Sequence, residues 1–469
     1  MYLKKIRLKN IKCFSDITLD FSPEGQPRLW TVILGQNGLG KSTLLQAIGI
    51  VLAGPIAIRE LLPVAEGWVK RDCPYGEIEA ELLWTEGDAQ IPKWPKKTPY
   101  TVKYAIVGED IDNGSLPSNL ASQYTGVPIV TEWAGDGISK KQENISKDLN
   151  RLRQTAYAEG KTGWLGCGYG PFRRLSGGAQ NADRILYSGR KSARFITLFR
   201  EDAALTNATE WLISLYNTGR DGNELSQRTL RQVKRIFEAE FLPRPAELLV
   251  NAQSALLRIE GHNPVPFRDL SDGYRSMLAM GIDLLRWVSV AFPEKEDLME
   301  VAGVVVIDEL DAHAHPAWQR EIGHWLRRKF PKLQFIIATH SPFLAQVADE
   351  PGGNIVLVQT EAGVQKRDDV ELVEAWRADQ ILTDLMELNS TRSPEVDRKI
   401  HKLNELSQKR EALEQKQERL PPAQEDEYQQ LRLWVEQLPP AIEDPWQRRQ
   451  AERVQQEIAQ ALPQLEELE

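Results

Sequence analysis

The sequence GQNGLGKST at residues 35–43 constrains the fold more strongly than any other stretch of this chain. A short apolar run from Trp30 to Leu34 leads into it, and apolar residues recur at helical spacing from Leu44 to Leu52 behind it. A buried strand, a glycine-rich loop and a helix N-terminus together form a P-loop, in which backbone amides and the helix dipole surround phosphate oxygens. The stretch therefore predicts a phosphate-binding loop on an α/β sheet.

The P-loop pattern assigns roles to individual residues. Lys41 is predicted to hold the β- and γ-phosphates of ATP and Ser42 to bind Mg²⁺, so ATP and Mg²⁺ are the expected cofactors. The further residues that we expect to contact the nucleotide are Gly35, Asn37, Gly38, Gly40 and Thr43. The competing interpretation, a plain glycine-rich turn, does not account for the strand and the helix on either side.

A second stretch, VVVIDELDAHAHP at residues 304–316, carries a pair of carboxylates. Four aliphatic residues end in Asp308 and Glu309, which places both at the rim of a strand buried on both faces. Asp308 is predicted to hold Mg²⁺ through water, and Glu309 to orient or deprotonate the water that attacks the γ-phosphate. Glu309 and Lys41 are therefore the first two candidate catalytic residues.

The remaining pattern predicts a central parallel sheet with additions, and hence the fold class α/β. Two runs at residues 2–9 and 16–21 predict N-terminal antiparallel strands. Residues from about 86 to 160 are polar and rich in turn formers, which predicts an insertion outside the core. A helical lobe is expected at about 190–245.

The last part of the chain differs in composition. Residues 391–469 are rich in Gln, Glu and Leu, and the motif LPPAxED occurs at 420–426 and again at 438–444. Each proline pair is expected to begin a helix with one apolar stripe. We therefore expect residues 1–390 to form the nucleotide-binding head and the remainder to form a small C-terminal helical array. Packing on its own head and docking of a partner protein both stay open as the role of this array.

Composition excludes some classes of protein. The 469-residue chain has 41% hydrophobic and 27% charged residues, and no apolar run approaches the roughly 20 residues that span a bilayer. A net charge of −9 argues against a surface that binds nucleic acid throughout. Lys4, Lys5, Arg7 and Lys9 are expected to lie on the solvated face of a strand, with local phosphate contacts as the alternative. Because the three cysteines fit neither a disulfide framework nor zinc-ligand spacing, we expect a cytoplasmic location.

Two further segments complete a resemblance to the ABC-class ATPases of the RecF/OLD/SMC-related group. They are LSDGYRSM at 270–277 and IIATHSP at 336–342, in the order in which that family carries its signature motif and its switch histidine. The resemblance implies that Ser271 and Gly273 contact the γ-phosphate bound on a second copy of the chain. It also implies that His340 contacts the γ-phosphate, which makes His340 the third candidate catalytic residue. A serine and a glycine that open a helix supply a hydroxyl and free amides for an anion.

The chain departs from the family pattern at two positions. Leu310 stands where many relatives have proline after the glutamate, and Ala314 stands where many have leucine before the His-Pro step. His313 and His315 lie near the carboxylates, but the His-Pro step matches the family, so we do not expect a separate metal site there.

A second segment, LSGGA at 175–179, looks even more like a signature motif. It lies much further upstream of the carboxylates than the family's spacing allows, and the segment at 270–277 is therefore preferred. Gln180 is the candidate for the family's glutamine loop.

The fragments YGPFRRLSGG, ATEWL, LSDGYRSMLAMGIDLL and STRSPEV resemble bacterial ATPases of Septu-type antiphage systems. Those ATPases work beside a separate nuclease, often of HNH type. The resemblance implies a regulatory ATPase that forms a homodimer or higher homo-oligomer through its ATP sites, acts on an effector protein and needs no membrane. The alternative is a RecF-like DNA-repair ATPase, for which DNA is the partner that the dimer clamps when ATP binds. A third interpretation, the ATP subunit of a membrane transporter, is disfavoured by the N-terminal strand pair and the helical tail.

Overall fold

The computed structural model of the chain describes residues 1–85, 99–107, 129–130, 140–173, 190–203, 205, 208–238, 245–368, 370–415 and 418–437. The chain divides into two compact units, Met1–Glu387 and Leu388–Glu469. No helix in the described ranges is both long enough and apolar enough to cross a membrane.

The strands of the first unit are numbered in chain order. They are β1 (Tyr2–Ile11), β2 (Phe14–Asp20), β3 (Trp30–Leu34), β4 (Tyr75–Leu83), β5 (Tyr100–Val107), β6 (Ile129–Val130), β7 (Gly166–Tyr169), β8 (Ala246–Val250), β9 (Ala255–Ile259), β10 (Val265–Pro266), β11 (Gly303–Asp308), β12 (Leu333–Ala338), β13 (Asn354–Thr360) and β14 (Gly363–Lys366).

The α-helices are numbered in the same way. They are α1 (Lys41–Ala53), α2 (Pro55–Leu61), α3 (Lys140–Gln154), α4 (Ile196–Phe199), α5 (Ala208–Arg220), α6 (Glu224–Glu238), α7 (Asp272–Ala291), α8 (Pro316–Lys329), α9 (Pro342–Ala345), α10 (Ala378–Gln380), α11 (Pro394–Glu414) and α12 (Pro422–Gln437).

The central sheet has the strand order β14-β13-β3-β12-β11-β7. Its strands are parallel except for β14, which pairs with β13 as an antiparallel edge. Every residue of β3, β11 and β12 is buried, as expected for parallel strands covered on both faces. The predicted α/β head with a central parallel sheet is therefore confirmed, and the carboxyl ends of β3, β12, β11 and β7 meet at one edge.

An antiparallel sheet of order β2-β1-β4-β5-β6 forms a second layer. It contains the predicted N-terminal strand pair, because β1 and β2 are neighbours in register. Its polar face is solvated and carries ion pairs, such as the one between Lys4 and Glu81 at 2.8 Å and the one between Arg7 and Asp16. This arrangement agrees with the strand-face interpretation of the N-terminal basic residues.

Strand β5 corrects one expectation. Residues 86 to 160 were expected to form an insertion outside the core, but Tyr100–Val107 pairs with β4 along its length, and most of its side chains are buried. Leu149 and Leu152 of α3 are buried in the same layer. The prediction is wrong for these stretches. The polar, turn-rich residues on either side left no clear periodic signal for the eight-residue strand between them.

Alternate residues of the central strands belong to two different cores. On one face, Val304 and Val306 pack with the apolar side of α1 and with the antiparallel sheet. On the other face, Val305 and Ile307 pack with α7 and α8. The central sheet therefore has α7 and α8 on one face and α1 on the other, and α1 is enclosed between the central and the antiparallel sheets.

The region expected to be a helical lobe contains α4, α5 and α6. Leu212 of α5 and Val233 and Phe237 of α6 are buried together with Leu248 of β8. Strands β8, β9 and β10 form a small antiparallel sheet just before α7. This sheet delivers the chain to the N-terminus of α7.

The second unit contains α11 and α12 in its described residues. Helix α12 begins at Pro422, where the first proline pair predicted a helix start. The ammonium of Lys399 lies 4.4 Å from the ring centre of Trp434, and Arg410 lies 5.1 Å from that of Tyr428. The second LPPAxED copy, at 438–444, lies outside the described residues.

Candidate nucleotide-binding site

The glycine-rich loop follows β3 directly and ends at the first residue of α1. Gly40 caps the helix in the left-handed region, with φ 82°. A Cβ at Gly40 would lie 2.5 Å from the Cys13 sulfur, and one at Gly35 would lie 2.8 Å from the Leu357 carbonyl oxygen. Glycine is therefore required at both positions, because strand β13 and the turn between β1 and β2 press on the loop.

Lys41 lies under the loop and is 8% exposed. Its ammonium donates to the carbonyl oxygens of Gly35 at 2.8 Å and Gln36 at 3.1 Å. Burial lowers the pKa of Lys41, while Asp308 and Glu309 act in the opposite direction. These contacts place the lysine between the loop and the carboxylates of β11.

Asp308 ends β11 and is 4% exposed. Burial raises the pKa of its carboxyl group, and a hydrogen bond from the Ser42 side chain lowers it. The Ser42 hydroxyl and the Asp308 carboxylate are thus in contact, and both are hard oxygen ligands of the kind that Mg²⁺ prefers. The donor set fits a magnesium ion.

Glu309 differs from Asp308 in exposure and in backbone conformation. Its side chain is exposed, and its φ of 48° lies in the left-handed region. For a residue other than glycine this conformation costs about 1 to 2 kcal/mol. Strain of this size persists only where surrounding contacts impose it, and it is often found at functional sites.

The segment after β12 brings His340 to the same edge. Burial and, after it, the neighbouring Lys41 lower the pKa of His340, while Asp311, Glu309 and Asp308 act to raise it. The Thr339 hydroxyl donates to the Asp311 carboxylate. The carboxylate loop and the switch segment are therefore tied together by a side-chain hydrogen bond.

The preferred signature segment lies at the start of α7. Ser271 is the N-cap residue, is exposed, and makes no capping hydrogen bond with its side chain. A Cβ at Gly273 would collide with the backbone carbonyl of His313, so the helix start lies directly against the carboxylate loop. No hydrogen bond or ion pair in the described part of the chain joins Ser271 or Gly273 to the P-loop of the same copy.

The other predicted positions fall into three groups. Asn37 and Gly38 are exposed on the loop, and Thr43 is buried at the start of α1. Leu310 and Ala314, the two departures from the family pattern, are both buried, so they serve packing. The LSGGA segment and Gln180 lie outside the described residues.

The structure adds one residue that the motifs did not indicate. Arg173, four residues after the end of β7, is buried and donates to the backbone carbonyls of Gly170, Asp308 and Glu309. The sequence signal was slight, since YGPFRR merely follows a short apolar run and its partners lie 135 and 136 residues away. Only the pairing of β7 with β11 shows where this arginine lies.

His315 has a local structural partner. Its ring nitrogen Nδ1 accepts the backbone N–H of Ala317 at 3.2 Å and so caps α8. Gln319 of α8 accepts the Ser341 hydroxyl at 2.8 Å and donates to the Ala314 carbonyl at 2.9 Å. The His-Pro step is therefore part of the helix start.

Comparison with known proteins identifies the family. Residues 1–72 match a family described as "AAA ATPase domain", and residues 139–345 match one described as "AAA domain, putative AbiEii toxin, Type IV TA system". The retron Vc95 probable ATPase of Vibrio cholerae is 36% identical over 389 residues, which cover 72% of this chain and 71% of that protein. The chain belongs to this family of ATPases.

The Septu protein PtuA of Bacillus mycoides is a second relative of this chain. It is 27% identical over 346 residues, which cover 73% of this chain and 38% of PtuA. The expected similarity to the Septu proteins is therefore confirmed, and this chain spans less than half the length of PtuA.

One solved structure similar to this ATPase is an SmcHead bound to the C-winged helix domain of ScpA. It is 14% identical, with a TM-score of 0.49, and the match covers 80% of this chain and 100% of that one.

Proposed function

We propose that two copies of this ATPase bind and hydrolyse ATP between them, and that the nucleotide state controls an effector protein. The observation that carries the proposal is the convergence of five predicted residues at one edge, while the signature serine is exposed and makes no capping hydrogen bond. Lys41, Ser42, Asp308, Glu309 and His340 converge at one edge of the central sheet. The signature helix begins beside them, with Gly273 against the His313 carbonyl.

Each converging residue has a task in phosphoryl transfer to water. The Lys41 ammonium and the loop amides bind the β- and γ-phosphates, and His340 contacts the γ-phosphate. The Glu309 carboxylate, exposed and close to Lys41, orients and deprotonates the attacking water. Ser42 and Asp308 would hold Mg²⁺, which neutralises charge on the phosphate oxygens.

The composite site is supported by the start of α7. Ser271 Oγ makes no capping hydrogen bond, and the first N–H groups of a 20-residue helix have no partner within the helix itself. A hydroxyl, free amides and the positive end of the helix dipole suit a γ-phosphate bound on a second copy. This arrangement requires a homodimer or a higher homo-oligomer.

The biological role rests on the relatives. One is named a Septu protein and another a retron ATPase. We propose that this chain acts in antiphage defence in the cytoplasm, beside an effector such as an HNH nuclease. The alternative, a RecF-like ATPase that clamps DNA, predicts that duplex DNA added to the purified protein stimulates ATP turnover.

The decisive experiment mixes two inactive variants. Lys41→Ala removes the phosphate-binding lysine, and Ser271→Arg places a bulky charge on the signature serine. Each variant alone is expected to lose turnover, whereas a mixture regains part of it, because one interface of a mixed dimer unites an intact Lys41 with an intact Ser271.

Two controls make the mixing experiment interpretable. Ser214→Arg puts the same side chain on an exposed position of α5, and this variant should keep wild-type turnover. Subunit exchange is verified with differently labelled copies. A mixture that exchanges subunits and stays inactive contradicts the composite site.

A further inference from the structure

We propose that Arg173 is a positioning residue that holds Glu309 in its catalytic orientation. The inference deepens the proposed function and rests on the role of Glu309 as the residue that activates water. It adds a fifth element to the site, the loop after β7, which none of the P-loop, carboxylate, signature or switch motifs contains.

The hydrogen bonds of Arg173 define its place. The side chain is 4% exposed, and its Nε donates to the Gly170 carbonyl at 3.1 Å, within its own loop. Its Nη2 donates to the Asp308 carbonyl at 2.8 Å and also to the Glu309 carbonyl. One guanidinium therefore joins the loop after β7 to the end of β11.

The two acceptors at the end of β11, the carbonyls of Asp308 and Glu309, determine what Arg173 can restrain. The Asp308 carbonyl belongs to the peptide before the Glu309 Cα, and the Glu309 carbonyl belongs to the peptide after it. A donor that holds both peptide planes restrains φ and ψ of Glu309, and these two angles set the direction of its side chain. Arg173 is thus placed to impose the left-handed φ of 48° that Glu309 adopts.

Two further observations describe the surroundings of the Arg173 guanidinium. Nη1 of Arg173 is buried and has no hydrogen-bond partner among the described residues. Burial lowers the pKa of Arg173 to about 10, while Asp311, Asp308 and Glu309 raise it, so the guanidinium stays charged at neutral pH beside the carboxylates.

The matched control is a second buried arginine at the other end of the sheet. Arg28 lies just before β3, is 5% exposed, and donates to the backbone carbonyls of Asp20 at 3.2 Å and Pro351 at 3.0 Å. Arg28→Lys therefore reports what the loss of a buried guanidinium does to the fold alone. It should lower the melting temperature and leave turnover unchanged.

The test compares Arg173→Lys and Arg173→Gln with Arg28→Lys and wild type. Both Arg173 variants should lose roughly 10- to 100-fold in kcat, because a misplaced catalytic group costs this much even when it is present. The KM for ATP and the equilibrium affinity for a fluorescent ATP analogue should change less than about twofold, because the lost restraint acts on water activation and not on nucleotide binding.

A double variant then distinguishes an action through Glu309 from an independent effect. Glu309→Gln should abolish most turnover, and adding Arg173→Lys to it should reduce the residual rate no further. A further 10-fold loss in the double variant would overturn the proposal. So would wild-type kcat in the Arg173 variants, a rise in KM as large as the fall in kcat, or unfolding of both Arg173 variants while Arg28→Lys folds.

The failure of this inference and that of the proposed function are separable. If Glu309→Gln keeps wild-type turnover, the assignment of the catalytic carboxylate is wrong, whatever Arg173 does. If Glu309→Gln is inactive while Arg173→Lys is fully active, only the positioning role is wrong.

Discussion

The crowding of the P-loop at Gly40 leads to a quantitative prediction that a series of three glycines can test. Gly25, Gly38 and Gly40 have nearly the same left-handed φ, namely 82°, 85° and 82°. A Cβ at Gly25 or Gly38 would have no atom within 4 Å, whereas one at Gly40 would lie 2.5 Å from the Cys13 sulfur and 2.8 Å from the Phe14 ring. Substitution by alanine therefore imposes the same backbone strain at all three positions, but it adds a steric clash only at Gly40.

The expected magnitudes follow from these two contributions. Left-handed backbone strain lowers the free energy of unfolding by about 1 to 2 kcal/mol in each variant. Overpacking adds about 1 to 3 kcal/mol at Gly40, because Phe14 is fully buried and the ring has no free space to enter. Gly40→Ala should thus be less stable than Gly25→Ala and Gly38→Ala by about 1 to 3 kcal/mol.

Urea unfolding, followed by tryptophan fluorescence without nucleotide, measures the difference. Adding Cys13→Ala to Gly40→Ala removes the closest contact and should recover part of the loss, while the Phe14 contact remains. The reasoning is refuted if Gly40→Ala unfolds at the same urea concentration as Gly25→Ala. The side chains of Cys13 and Phe14 would then move aside without lowering the free energy of unfolding.

Three further predictions concern titration and buried polar contacts. The raised pKa of Asp308 means that its ionised form destabilises the fold above the ordinary pKa of 3.8. Asp308→Asn should therefore raise the melting temperature at neutral pH without Mg²⁺ and abolish turnover, and its stability advantage should shrink as the pH falls towards 3.8. The lowered pKa of His340 keeps its imidazole neutral at pH 6.5, so turnover should fall only at lower pH, and His340→Gln should remove that acidic limb from the pH-rate profile. The Tyr169 hydroxyl donates to the buried Asp283 carboxylate at 3.1 Å, so Tyr169→Phe should lower the free energy of unfolding by about 1 to 3 kcal/mol in urea.

The sequence predicted those parts of the site whose residues are consecutive or nearly consecutive in the chain. The strand, the loop and the first turn of α1 are consecutive, so periodicity and glycine spacing are enough to identify them. The same holds for Asp308 and Glu309, because a continuous aliphatic run marks a buried strand and its last residue marks the rim of the sheet. The central sheet could be predicted for the same reason.

The parts that sequence missed depend on which strands become neighbours. Arg173 acts on residues more than a hundred positions later in the chain, and only the pairing of β7 with β11 brings them together. Strand β5 is bounded by polar, turn-rich segments, and its pairing with β4 decides that it belongs to the core. The crowding of Gly40 by Cys13 likewise follows from the packing of the antiparallel sheet over the P-loop. Long-range pairing of this kind leaves no periodic signal in one sequence.

The two close backbone approaches join the nucleotide site to different layers of the molecule. Gly40 lies against Cys13, in the turn between β1 and β2, so the P-loop packs on the antiparallel sheet. Gly273 lies against the His313 carbonyl, four residues after Glu309, so the start of the signature helix packs on the carboxylate loop. If Ser271 contacts ATP on a second copy, as proposed, that contact is made directly beside the water-activating Glu309 of its own copy. Occupancy of one ATP site would then act on the backbone that orients the catalytic carboxylate of the other, which couples the two sites through a single loop.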